Sequence, residues 1–298
     1  MKRETFKKRL EILKRYGCNV ISLDAAVKML AGEVPMIPNA VVLTADDGYK
    51  NSPDTLSKDC NEYGFPLTIY LTSYYAEKQE PIFNVALSYL FWRTKKSEIN
   101  LKSLSELELG LESNTALQLN PENIQTLSKK LNELFSQDSY KPERVEFLHK
   151  LAQALDLSPD EVFSPGKLML MDQREISACA RQTTSVQLHT HRHRFPDDDQ
   201  KVKDELLENR RYISQSLPEK DIVHFCYPSG VFHENQISTL RALGVKSATT
   251  LLNGINFRSD DPLKLKRIID KETMSDAEFA ANVSGAIYTL KKLSPVKL

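Results

Sequence analysis

Val41-Val42-Leu43-Thr44-Ala45-Asp46-Asp47-Gly48-Tyr49 reads as a buried strand that stops on two carboxylates and a glycine. The apolar and β-branched run from Val41 to Thr44 has the character of a parallel strand covered on both faces. Ionised side chains at the end of such a strand are costly to bury without a compensating cation. A divalent metal is the usual compensation, and sites in barrels and open α/β sheets gather at the carboxyl ends of strands. The plain alternative is an ordinary turn, since Asp-Gly is a common turn dipeptide. The flanking chain decides between them.

Upstream, Phe6, Leu10, Leu13 and Tyr16 recur at helical spacing, which predicts an amphipathic helix over residues 3–16, ended by Gly17. Asn19 to Leu23 reads as a short strand, and Asp24 as the cap of a helix from Ala25 to Ala31. Downstream, Ser52-Pro53-Asp54 starts a helix that runs to Tyr63 and stops at Gly64, and Pro66 to Thr72 is the next strand. Strand and helix in alternation predict a parallel sheet or barrel.

From about residue 81 to about residue 165 that rhythm breaks. The pattern there is helical, as in Leu127, Leu131, Leu134 and Phe135, then Val145, Leu148, Leu151 and Leu155, with no strand-like run and no cluster of ligands. It predicts a helical insertion covering one mouth of the core, with Tyr89, Phe91 and Trp92 as packing residues rather than a sugar-stacking platform. After Gly166 the alternation resumes. A helix from Asp172 to Arg181 precedes a strand from Ser185 to Leu188, and a charged helix spans roughly residues 198–215. Ile222 to Tyr227 is a strand, Glu234 to Leu243 a helix stopped by Gly244, and Lys246 to Thr250 and Leu265 to Ile269 are strands. Asp276 to Lys291 makes a C-terminal helix. Seven strands are expected in one domain spanning residues 1–298.

Three of the six histidines fall within His189-Thr190-His191-Arg192-His193, directly after an apolar strand. With a carboxylate pair at another strand end, they read as ligands. A helical turn after Leu188 would put His189 and His193 on one face and send His191 away; an extended chain would project all three together. Two imidazoles with one carboxylate suit a zinc-like ion with open positions. Pro228-Ser229-Gly230 follows a third strand and is either a simple turn or a source of backbone N–H groups for a reacting oxygen, with His233 just beyond.

Lysine plus arginine and aspartate plus glutamate each number 40, so the net charge is zero. That removes the electrostatic case for a nucleic-acid binder or a polybasic membrane surface. Cys18, Cys60, Cys179 and Cys226 are scattered without metal or redox spacing and read as buried thiols in a reducing compartment. No signal peptide and no transmembrane-length apolar run are visible, so a cytoplasmic protein is expected, or an exported one if a leader has been trimmed.

With these residues in place, the sequence resembles the NodB-type polysaccharide deacetylases, carbohydrate esterase family 4. Thr44-Ala45-Asp46-Asp47-Gly48-Tyr49 is similar to the family's Thr-Phe-Asp-Asp-Gly motif, and His189-Thr190-His191-Arg192-His193 to its His-Ser/Thr-x-x-His motif. Phe225-Cys226-Tyr227-Pro228-Ser229-Gly230 resembles the Tyr-Pro-x-Gly form of the third motif. The resemblance implies an α/β fold, a distorted (β/α)7 barrel, and metal-dependent hydrolysis of N-acetyl groups on an amino-sugar glycan or glycan precursor in surface-polysaccharide synthesis. It implies that Asp47, His189 and His193 hold a divalent metal, with zinc first and cobalt, nickel or manganese as alternatives. Asp46 would be the general base and the Ser229 N–H an oxyanion donor, while Tyr49, Tyr227, Pro228 and Arg267 would face the substrate.

Four departures stand against the family pattern. Ala45 replaces a phenylalanine, Cys226 stands where many members have an arginine that orients the base, and Ser229 where many have an aromatic residue. No histidine follows His233, so the family's late acid histidine is missing, and Asp46, His191 or His233 would have to supply the proton the leaving amine needs. Two other readings compete. Leu188-His189-Thr190-His191 is similar to the strand end of PHP and amidohydrolase enzymes, which leaves Asp46-Asp47-Gly48 unexplained. A metal-containing sugar-binding protein without turnover would account for the missing acid.

Overall fold

The apolar run before the two aspartates forms as two short strands rather than one. The computed structural model describes residues 1–101, 104, 116–136, 143–160, 168–180 and 183–288. Its contacts divide the chain into two compact units, residues 1–77 with 171–298, and residues 78–170. Among the described residues the strands are β1 (Asn19–Val20), β2 (Ala40–Val41), β3 (Leu43–Ala45), β4 (Leu67–Leu71), β5 (Glu98–Asn100), β6 (Ala116–Gln118), β7 (Thr184–Leu188), β8 (His224–Cys226), β9 (Ser247–Asn253) and β10 (Leu265–Arg267).

In the first unit six strands lie in the order β10-β9-β8-β7-β4-β3, and each neighbouring pair is parallel. β2 turns instead to β1, also in parallel. Val42 sits at the change of partner, which is why the run breaks there. Counted with β2 and β3 as one continuous run, seven parallel strands follow one another, as the alternation predicts. In a flat sheet β3 and β10, five intervals apart, would be separated by about 24 Å. Yet Arg267 of β10 reaches Asp46, the residue after β3, with Nη1 2.7 Å from Oδ1. The sheet is therefore curled into a half-barrel, and among the described residues no pairing joins β10 to β1.

Several boundaries differ from expectation for local reasons. Ser22, not Asp24, caps the second helix (Leu23–Ala31), accepting from Ala25 N at 3.2 Å. The first strand stops at Val20 because that cap begins so soon after it. The helix expected from Ser52 to Tyr63 opens as a wide turn over Pro53–Ser57 before Lys58–Glu62 becomes regular. Asp172 does cap Gln173–Ala180, in a reciprocal pair with Glu175: Asp172 Oδ1 accepts from the N–H groups of Arg174 and Glu175, and Glu175 Oε2 accepts from Asp172 N. The last helix runs only from Asp276 to Val283, turning at Gly285 with φ of 73°. Its expected continuation to Lys291 lies partly outside the described residues.

The second unit is mainly helical (Phe83–Arg93, Pro121–Ser136 and Glu143–Ala154), but it is not free of strands: β5 and β6 pair antiparallel. Three residues each are too short to show alternation against a helical background. Its core joins Phe83, Leu87, Leu90, Leu131, Phe135, Phe147 and Leu151, with the Phe83–Phe135 and Phe135–Phe147 ring centroids each 4.8 Å apart. Phe91 belongs to it and Tyr89 packs against it, but Trp92 is 76% exposed, against the packing role expected for it. Among the described residues no helix is long and apolar enough to cross a membrane.

Candidate metal centre and active site

The two aspartates are delivered by a turn that only this local sequence allows. Asp47 and Gly48 both take positive φ, 70° and 79°. A Cβ on Gly48 would lie 2.4 Å from Leu71 Cδ1, so position 48 has to be glycine. The carboxyl end of β4 pins this turn to the histidine segment. Thr72 N donates to Asp47 O at 3.3 Å, and Thr72 Oγ1 donates to the carbonyls of His189 and Thr190 at 3.2 and 3.0 Å.

The segment after β7 is neither helical nor extended: Thr190 and His193 have φ of 62° and 54°. The bend brings His189 and His193 together, ring centroids 5.0 Å apart, with Nε2 atoms 3.5 and 3.3 Å from the same Asp47 oxygen. His189 Nδ1 donates to the Cys226 carbonyl at 2.8 Å, which leaves Nε2 to face Asp47. The donor atoms of Asp47, His189 and His193 all lie within 4.8 Å of one another, and two imidazoles with one carboxylate are a donor set that fits a zinc-like ion. Burial opposes ionisation of Asp47, but its hydrogen bonds to both histidines hold its pKa far below the usual carboxylate range. Burial likewise opposes a charge on His189, and the Cys226 and Asp47 contacts outweigh it and raise that pKa well above the ordinary value. These groups compete for positive charge, as metal ligands do.

Asp46 is held from the other side. Arg267 Nη1 and Nη2 reach its two oxygens at 2.7 and 2.8 Å, a bidentate clamp, while Nε is anchored on the Thr250 carbonyl at 2.9 Å. Burial pushes the Asp46 pKa up, and the Arg267 hydrogen bonds and His189 charge overcome it, leaving the carboxyl below its usual range and ionised. Arg267 is therefore committed to Asp46, where the sequence placed it against substrate.

Other expected residues fall into different places. His191 turns away from the carboxylates: Nδ1 is 2.8 Å from Ser73 Oγ, Nε2 is 3.1 Å from Glu208, and the ring meets Tyr74 edge-on. It braces the loop away from Asp46 and Asp47. Tyr227 is fully buried and donates its hydroxyl to the Leu263 carbonyl at 2.9 Å. Pro228 is buried with it. Tyr49 is half-buried; burial, and then the Asp47 carboxylate it hydrogen-bonds, raise its pKa, so it stays a proton donor. Ser229 has φ of 55° at the second position of a single 3-10 turn, where the N–H has no acceptor inside the turn. His233 stacks on Phe195 at 6.2 Å, two residues beyond His193, and is part of the rim.

Two supports escaped the sequence reading. Asn209 Oδ1 accepts from His189 N and its Nδ2 donates to Leu71 O, both at 2.9 Å, and Glu205 binds Arg192 N at 2.6 Å and the Arg194 Nε at 3.2 Å. Both project from the helix Asp199–Ser216, buried among Val202, Leu206 and Ile213. Two polar residues at i and i+4 inside an apolar stripe were the available signal.

No protein-family model and no curated protein matches the chain. Solved structures do. A deacetylase from Streptococcus pyogenes, PplD, in complex with acetate, superposes with a TM-score of 0.58 at 14% identity, over 94% of this chain and 86% of that one. IcaB from Ammonifex degensii gives 0.59 at 14% identity, over 95% and 90%. The BpsB deacetylase domain from Bordetella bronchiseptica gives 0.52 at 13% identity, over 86% and 81%. The fold is that of the NodB-type polysaccharide deacetylases. At such low identity it is the fold that is shared, and the chemistry has to come from the residues of this chain.

Proposed function

We propose that the chain is a metal-dependent carbohydrate N-deacetylase, removing acetyl groups from an amino-sugar glycan or glycan precursor in surface-polysaccharide synthesis. The observation that carries this is the pairing of two adjacent aspartates in opposite settings. Asp47 faces two imidazoles and Asp46 is clamped by Arg267. Neighbours of the same fold are named as deacetylases, one of them a de-N-acetylase, which supports the reaction class.

Asp47, His189 and His193 would hold the ion, which supplies Lewis acidity toward water and the acetamide carbonyl. Zinc suits the nitrogen-rich set best. Asp46, kept ionised and fixed in direction by Arg267, accepts the proton of the attacking water. The Ser229 N–H stabilises the negative charge that develops on the carbonyl oxygen. The amine leaves only once protonated, and Asp46 is placed to return the proton it took. His233 on the rim is the second candidate for that step.

The test is metal content measured together with acetate release from N-acetylated oligosaccharides, with Asp47→Ala and His193→Ala alongside. Acetate from the metal-loaded wild type alone is the expected outcome. Full metal occupancy with no acetate from any N-acetylated sugar would overturn the enzyme in favour of a sugar-binding protein, the reading that the missing late histidine favours.

A further inference from the structure

Cys226 brings a third kind of donor to the same strand ends. Its sulfur, an Asp46 oxygen and a His189 nitrogen lie within 4.8 Å of one another, a set that overlaps the Asp47–His189–His193 set only at His189. The thiol is fully buried, 3.8 Å from the Tyr227 carbonyl and in side-chain contact with His189. Tyr70 packs against it, and Thr249, which faces Cys226 across the β8–β9 pairing, brings its hydroxyl to the Tyr70 hydroxyl.

We propose that Asp46, His189 and Cys226 form a second ion site for thiophilic divalent cations such as cadmium, distinct in ligand chemistry from the first. Sulfur, nitrogen and oxygen donors together favour soft ions that a set without sulfur holds less well. Binding replaces the S–H proton by an S–metal bond, and the proton leaves to solvent, one per ion. An ion at this position draws on the Asp46 carboxylate that Arg267 now holds bidentately, and it shares His189 with the first set, so the two positions exclude each other. The site is consequently inhibitory; that last consequence rests on Asp46 being the base of the proposed deacetylase.

Titration of the full chain with Cd²⁺, followed by ultraviolet sulfur-to-cadmium charge-transfer absorption, tests the site without using turnover. Wild type is expected to develop a band that saturates at one thiolate per chain. Cys226→Ser and Cys226→Ala are each expected to lose at least nine-tenths of it, while Asp47→Ala and Cys60→Ser keep it, with circular dichroism confirming that each variant is folded. A band that survives in folded Cys226→Ser, or none in wild type, would overturn the proposal. Acetate release is scored separately, so a protein with the band and no deacetylation keeps this site and loses the proposed activity.

Discussion

The interiors of the two units are made of different materials. Among the described residues of 78–170 the core is leucine, phenylalanine, alanine and isoleucine, with no buried polar or charged residue. The strand ends of the other unit bury or half-bury charged partners in direct contact, Asp46 with Arg267 and Asp47 with His189 and His193. Apolar contact is non-directional, so the first interior is specified by volume and tolerates exchange of like for like. The second holds only while each charge meets its partner. Backbone strain follows the same division. Asp47, Thr190, His193 and Ser229 all have positive φ beside the site, whereas the insertion has only Gln79 and Asp156 among its described residues.

The contrast can be broken from either side. Asp46→Asn removes the proton acceptor with little change in shape and is expected to lower kcat by about 10²–10⁴-fold. Metal content, read by atomic absorption, should stay at the wild-type level, because Asp46 is outside the Asp47–His189–His193 set. Loss of metal in this variant would merge the two aspartate roles. In the apolar core, Phe135→Ala should cost about 3–5 kcal/mol, measured by urea denaturation, with metal affinity unchanged. A drop in metal affinity would show the two interiors to be energetically coupled.

His224 sits on β8 away from the strand-end ligands, with Nδ1 2.8 Å from Ser247 Oγ, and burial depresses its pKa from 6.5 to about 4. Below its ordinary pKa the unfolded chain takes up a proton that the folded chain refuses, so stability rises with pH across that window. It is complete above about 6.5 and falls by roughly 3 kcal/mol toward pH 4. Denaturation midpoints at several pH values, with His224→Gln flattening the dependence, check this. Arg267→Gln should slow turnover by about 10–100-fold. It also frees the Asp46 pKa to rise, moving the acidic limb of the kcat/KM profile to higher pH. An unmoved limb would leave Arg267 with a structural role only. The smallest effect is expected for Trp92→Ala, within about 0.5 kcal/mol, since the side chain is mostly exposed.

What could be read in the sequence, and what could not, follows the range of the interactions. Asp46-Asp47-Gly48 and the His189–His193 pair were legible because each is a local cluster at the end of an apolar strand. The alternation of strands and helices likewise announced a parallel sheet or barrel. Arg267 was misassigned because its partner lies 221 positions away, and only the curl of the sheet brings the two together. Whether His191 joins its neighbours depended on two left-handed residues, Thr190 and His193, neither of which is a glycine that would have signalled the bend. β5 and β6 were missed because three-residue strands carry no period.

The contact between Arg267 and Asp46 also sets an order of events during synthesis. Both aspartates and both histidines leave the ribosome well before β10, so a chain still being made has the residues proposed to hold the ion while Asp46 has no guanidinium to clamp it. Under the proposed mechanism, competence for hydrolysis arrives late, when the last strand docks and the two margins of the sheet are joined. Anything that later parts those margins releases Asp46 before it disturbs Asp47, His189 and His193, so under the proposed mechanism turnover would stop ahead of any loss of the ion.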